Sequence, residues 1–190
     1  MLDTLLANAI GAEIAEPPSA LERLLALAGP RASRSSVRVD VQRADEPRTR
    51  EISVRPRRMA RGLRLGDAVV FVVRTSEDSS LALIDIGTGG TVSAVLPNAG
   101  NLAPHARAGE AVLFPGPADD FDFVLEGRPG RERMLALAWR GELRAALRPQ
   151  GEATFRVLPA EEVAALCDAV GQLAHDDWAA CVCEFEILAG

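Results

Sequence analysis

A chain of 190 residues with 48% hydrophobic side chains can bury a substantial core, and it has no run of the about 18 apolar residues that a membrane-spanning helix needs. The net charge of −6 argues against a surface given over to nucleic acid, and three cysteines, an odd number, exclude a fully paired disulfide framework. All 21 cations are arginine and tyrosine is absent, so neither a Schiff-base lysine nor a tyrosine acid is available.

The first thirty residues form a helical N-terminal segment. Leu2, Leu5, Leu6 and Ala9 recur at helical spacing, and Gly11 can end that run. Pro17-Pro18 blocks continuation, and Ser19 with Glu22 then makes a capping box ahead of a stripe of Leu21, Leu24, Leu25 and Ala28 that stops at Gly29-Pro30. Helices this short are not stable alone and must dock their apolar faces. No basic leader precedes the first apolar stretch, so a secretory signal is not expected and a cytoplasmic location is.

Residues 31–190 read as a single β-sandwich domain with its core over 65–139. In VRVDVQR, Val37, Val39 and Val41 face one side and Arg38, Asp40 and Gln42 the other, the pattern of a half-buried strand. Ile52 and Val54 suggest a return strand. Gly66-Asp67 leads into AVVFVVRT, and SLALIDIG and TVSAVLP are joined by Thr88-Gly89-Gly90, a hairpin signal because glycine accepts positive φ. AVLF, DFDFVLE and MLALAW supply three more strands, and the prolines between them fall where a missing N–H does no harm. After Pro159 the period changes. Val163, Leu166, Val170 and Leu173 form a helical stripe with Glu161 and Glu162 in its first turn, where acids suit the helix dipole. Cys181, Cys183, Phe185 and Ile187 then share one face of a final strand. The expected fold is mainly β with α elements at its edges: an antiparallel β-sandwich with two short N-terminal helices and one C-terminal helix followed by a last strand.

The order of features across Leu65 to Trp139 resembles a bacterial family, the domain of unknown function numbered 4384. The likeness is carried by Leu65-Gly66-Asp67, the strand Val69 to Val73, the strand Leu81 to Ile86 before Gly89-Gly90, and Val92 to Leu96 ending in Pro97-Asn98. Asn101, Ala108-Gly109, Pro115, Gly130, Glu132 and the strand Met134 to Ala138 complete it. The resemblance implies a small β-sandwich of the kind found beside kinase domains, caspase-like peptidases, helical repeats and envelope proteins. It brings no catalytic residues. The family has Gly-Tyr entering the second strand, where this chain has Ser79-Ser80.

Candidate chemistry is scattered. The long loop LPNAGNLAPHARAGE is the leading candidate for binding, with Asn98, Asn101, His105 and Arg107 as its polar residues, because loops on a rigid scaffold carry recognition. The other reading of that loop is a packed Ω-type connection. Cys181 and Cys183 could chelate a soft metal, but their spacing suits core packing better. Asp119, Asp120 and Asp122 could hold calcium, but lack EF-hand spacing. Cys167 with His175 lacks any nucleophile signature. GTGG reads as a turn and not a phosphate cradle.

Charge is polarised: eleven Arg against four acids from Arg31 to Arg64, and seven acids with no Arg from Val157 onward. These opposite charges can attract within one fold or between copies, so self-association through the two segments is an expectation. The sequence therefore favours a non-enzymatic protein-interaction module with a protein partner, no cofactor, no nucleic acid and no membrane. The alternatives are a hydrolase using Cys167 or His105, and a small-ligand or saccharide binder.

Overall fold

The fold is taken from a computed structural model that describes residues 18–30, 33–45, 62–143, 147 and 155–190. The first expected helix, the return strand at Ile52 and Val54, and most of the basic segment lie outside the described residues.

Two short helices and eleven strands are described. Ser19 caps α1 (Ala20–Ala26) reciprocally: Glu22 N–H donates to Ser19 Oγ at 3.2 Å, and Ser19 N–H donates to the Glu22 carboxylate at 2.7 Å. The strands follow as β1 (Val37–Arg43), β2 (Leu63–Arg64), β3 (Ala68–Thr75), β4 (Ser79–Ile86), β5 (Val92–Leu96), β6 (His105–Ala106), β7 (Ala111–Phe114), β8 (Phe123–Val124), β9 (Gly130–Trp139) and β10 (Arg156–Val157). Helix α2 (Ala160–Gly171) and β11 (Trp178–Leu188) close the chain.

The strands form two sheets. In the outer sheet β3 lies between β1 and β7, with β8 also on β3. The central sheet runs β10–β5–β4–β9–β11–β2, with β6 on β4. Pairing is antiparallel except for β2, which runs parallel to the end of β11. The β4–β5 hairpin turns through Gly87–Thr91. Gly87 N–H donates to Thr91 O at 3.0 Å, Gly90 N–H to Gly87 O at 2.9 Å, and Gly90 takes φ of 82°, which an L side chain would resist.

Alternation along β9 builds two cores at once. Met134, Ala136 and Ala138 face the outer sheet, where they meet Val39, Val69, Phe71 and Val73. Leu135 and Leu137 face the helices, where they meet Leu24 of α1 and Val163, Leu166, Cys167 and Val170 of α2. Period-2 side chains on a sheet covered on both faces must be apolar at consecutive positions. That is why MLALAW and LALI carry unbroken apolar runs. The result is three layers: outer sheet, central sheet and helices.

A bulge between β4 and β5 shifts the register from Leu83↔Leu96 to Ile84↔Ala94, leaving Val95 as the extra residue. Both Val95 and Leu96 therefore pack into the inter-sheet core.

Arginines tie the layers together at the surface. Arg23 of α1 pairs with Asp168 of α2, Arg133 with Glu184 at 2.7 Å, Arg156 with Glu162 at 2.6 Å, and Arg140 with Glu77 and Asp177. Four acids of the C-terminal region, Glu162, Asp168, Asp177 and Glu184, are thus met by side chains of Arg156, Arg23, Arg140 and Arg133, which lie outside the Arg31–Arg64 segment. Among the described residues, the ion pair from that segment is Arg43 with Asp67 at 3.1 Å.

Candidate functional site

The loop after β5 divides into a structural half and an exposed half. Asn98 is buried; its Nδ2 donates to Val95 O at 3.2 Å and its Oδ1 accepts Asn101 N–H at 2.9 Å. The side chain of Asn98 is therefore a turn-former, in keeping with the packed-connection reading. Asn101, His105 and Arg107 are exposed, as is Leu102. His105 is not in a free loop: it belongs to β6 and pairs with Ser80 of β4. Replacing Asn98 by Ala is expected to cost about 1–3 kcal/mol in urea unfolding, because a buried peptide group loses its partner. Asn101→Ala, His105→Ala and Arg107→Ala should each stay within about 0.5 kcal/mol of the parent.

The structure also shows what stands where the family has Gly-Tyr. Ser79 Oγ donates to Glu77 O at 2.9 Å, and Ser80 sits in register between His105 on β6 and Trp139 on β9. Trp139 in turn lies opposite Trp178 on β11. A row of Trp178, Trp139, Ser80 and His105 thus crosses four strands, with the small Ser80 between an aromatic ring and an imidazole.

The cysteines are core residues. Cys181 and Cys183 lie on the inter-sheet face and pack against its cluster. Burial pushes the Cys183 thiol up to about 11, with the Asp40 charge adding to it. Cys167 faces the helix-side core and its thiol is likewise raised by burial, which disfavours the thiolate. His175 stands apart from it at the surface beside Asp176, at 3.3 Å. Asp119 is spent on a turn, its Oδ2 accepting Gly116 N–H at 2.6 Å, while Asp120 and Asp122 are exposed. Among the described residues no group of three or more His, Cys, Asp or Glu is placed to hold a metal ion.

Two features escaped the sequence reading. The first is aromatic. All six phenylalanines of the chain form one connected network: Phe185 meets Phe71 at 6.0 Å, Phe71 meets Phe123 at 5.2 Å, and Phe155 meets Phe123 at 5.3 Å, Phe121 at 6.2 Å and Phe114 at 6.4 Å. Most of these contacts are edge-on or tilted, the geometry the ring quadrupole favours. The network begins at the fully buried Phe71 and Phe185 and ends at Phe155, which is 41% exposed, beside Val157 at 62%. Phe121 and Phe123 line the same margin, half-buried.

The second is a carboxyl pair, Asp85 on β4 and Glu132 on β9. Burial pushes Asp85 up to about 6. Burial, and then the Asp85 charge, push Glu132 up to about 7. A lone acid inside each strand gave no signal of this; only strand pairing makes them neighbours.

The molecule is thus a β-sandwich backed by helices, with an aromatic margin anchored in its core. Residues 62–140, spanning β2 to β9, match the model of a domain of unknown function (DUF4384), the same family whose features were read from Leu65 to Trp139. Neither the curated proteins nor the solved structures compared with the chain gave a match. The matched stretch holds β2 to β9; β1, which pairs with β3, β10, which pairs with β5, and β11, which lies between β9 and β2, are outside it.

Proposed function

We propose that this chain is a non-enzymatic protein-interaction module, acting in a bacterial regulatory, signalling or defence-type assembly in the cytoplasm. The observation that carries the reading is the aromatic margin. Phe155 is held by rings that run back to the centre of the core, so it presents a large apolar surface with little freedom to lose on binding. Rigid aromatic anchors of this kind dominate binding energy at protein interfaces. The side chains that could perform chemistry are dispersed: Cys167 of α2 is turned into the core between helix and central sheet, His175 is at the surface, and His105 is on the β6 edge. The setting among regulatory and defence proteins is drawn from the company the family keeps, which is analogy. No helix among the described residues is long and apolar enough to cross a membrane.

The test is cross-linked capture with the parent protein and with Phe155→Ser. The substitution removes an exposed ring and should lower stability by only about 1 kcal/mol. A specific protein recovered by the parent and lost with Phe155→Ser is the expected result. Recovery of no specific protein would overturn the reading. An undiminished yield with Phe155→Ser would move the contact to another surface, with the exposed loop residues His105 and Arg107 next to be changed.

A further inference from the structure

We propose that β10 is the docking edge of the interface: an extended segment of a partner protein, apolar at alternate positions and flanked by Arg or Lys, pairs with it as an added strand. The inference rests on the aromatic margin being the contact surface, and it names the shape and chemistry of what binds there.

The backbone offers the pairing. β10 is the terminal strand of the central sheet, and among the described residues no strand lies beyond it. It pairs with β5 as Arg156↔Ala94 and Val157↔Ser93, and Leu158 N–H donates to Val92 O at 2.8 Å. In an antiparallel ladder, successive residues alternate between turning their N–H and C=O toward the partner strand and away from it. Leu158 faces β5, so the N–H and C=O of Val157 point out of the sheet edge. An extended segment laid alongside satisfies both groups, the way open sheet edges take up peptides.

The side chains supply the contact. Residues along a strand alternate between faces, so Phe155 and Val157 share one face and Arg156 turns to the other, toward Glu162. The Phe155 ring meets Phe114 of β7 and Phe123 of β8, which places that face on the inter-sheet side, and both Phe155 and Val157 are exposed there. A residue of the added strand opposite Val157 lies on the same face and within contact of it, and its neighbour two positions along reaches the Phe155 ring. Apolar side chains at alternate positions are what this edge accepts.

Charge decides between a second copy and a different partner. Asp120 and Asp122 flank Phe121, whose ring is 6.2 Å from that of Phe155, and Glu161 follows β10 in the first turn of α2; all three acids are exposed. Arg156, the cation of β10 itself, is engaged by Glu162 at 2.6 Å. Two copies meeting edge to edge would bring these acids together. A segment with Arg or Lys on either side of its apolar residues meets them with opposite charge.

The test is fluorescence anisotropy with the parent protein and a labelled heptapeptide, Arg-Thr-Val-Thr-Val-Thr-Arg, which carries its valines and arginines on one face when extended. Two further versions bear N-methyl groups, one on the valine nitrogens and the other on the threonine nitrogens. Strand pairing uses alternate nitrogens, so one version should bind at least about tenfold more weakly and the other should bind as the unmethylated peptide does. Val157→Pro removes a donor that points out of the edge, so it should keep the urea midpoint and weaken binding at least about tenfold. Asp120→Asn combined with Asp122→Asn should weaken binding about fivefold at low salt, as the loss of two exposed ion pairs does. No binding of the heptapeptide, equal weakening by both methylated versions, or undiminished binding by the doubly substituted protein would each overturn the proposal. So would a parent dimer in sedimentation that Val157→Pro dissociates, because a second copy would then hold the edge. If Val157→Pro fails to fold, the methylated peptides decide the matter on the parent protein. A partner captured by the parent, lost with Phe155→Ser but kept with Val157→Pro, would sink strand addition alone and leave the interaction module standing.

Discussion

Phe185→Ala should lower unfolding free energy by about 3–5 kcal/mol, the range for emptying a buried phenylalanine site. Phe185 lies on β11, outside the stretch that matches the family model, yet it is 0% exposed and its ring packs against Phe71 of β3. Truncating it removes the apolar area of one ring and leaves a cavity between two sheets whose backbones are fixed by their ladders, so the walls cannot close in. The loss is comparable with a large share of the 5–15 kcal/mol that a domain usually has. Urea unfolding with a shifted midpoint and an unchanged slope is the measurement. A loss below about 1 kcal/mol would show that β11 is an appendage to the matched stretch and not part of its core.

Leu166→Asp is expected to be more damaging still. Leu166 is 1% exposed on the face of α2 that packs on Leu135, Leu137 and Ile84 of the central sheet. An uncompensated carboxylate there costs the desolvation of a charge in addition to the lost packing, beyond about 4 kcal/mol in total. The loss of cooperative unfolding, with apolar surface exposed to a dye such as ANS, is the outcome to look for. Leu166→Ala separates the two contributions: it should cost about 2–5 kcal/mol and keep a cooperative transition. Glu161→Ala, on the exposed first turn of the same helix, should change stability by no more than about 0.5 kcal/mol. If Leu166→Asp unfolded as cooperatively as the parent, the helices could not be a true third layer.

Local patterns carried much of the fold. The Ser19–Glu22 capping box, the alternation of Val37, Val39 and Val41, the Thr88–Gly90 turn and the α2 stripe all rest on interactions within a few residues, and each stands where its pattern indicated. Three short strands gave no such pattern. β2, β6 and β10 are each two residues long, too short for any periodicity, and exist because a neighbouring strand offers unpaired backbone groups. His105 illustrates the consequence: its loop composition was plain, but its pairing with Ser80 was not.

The candidate sites divide along the same line. That Cys181 and Cys183 belong to an apolar face was legible from alternation alone, and the structure adds the burial that raises Cys183. That Asn98 would be a buried turn-former, unlike the exposed Asn101 three residues on, was not legible, because both are equally common in turns. Asp85 and Glu132 are forty-seven positions apart in sequence, and Phe71, Phe123, Phe155 and Phe185 are spread over more than half the chain. Their meeting depends on strand order.

By itself, the amino-acid sequence determined the longer strands and both described helices, which faces of them are apolar, and which family the middle of the chain resembles, because these follow from nearest-neighbour chemistry and from period. Only the tertiary structure decided that the central sheet is buried on both faces, that the six phenylalanine rings join into one network running from the core to its margin, and that Asp85 and Glu132 fall on the same face of neighbouring strands. The physical reason is that pairing and layer order are set by long-range packing of apolar faces, and several strand orders would satisfy the same local alternation.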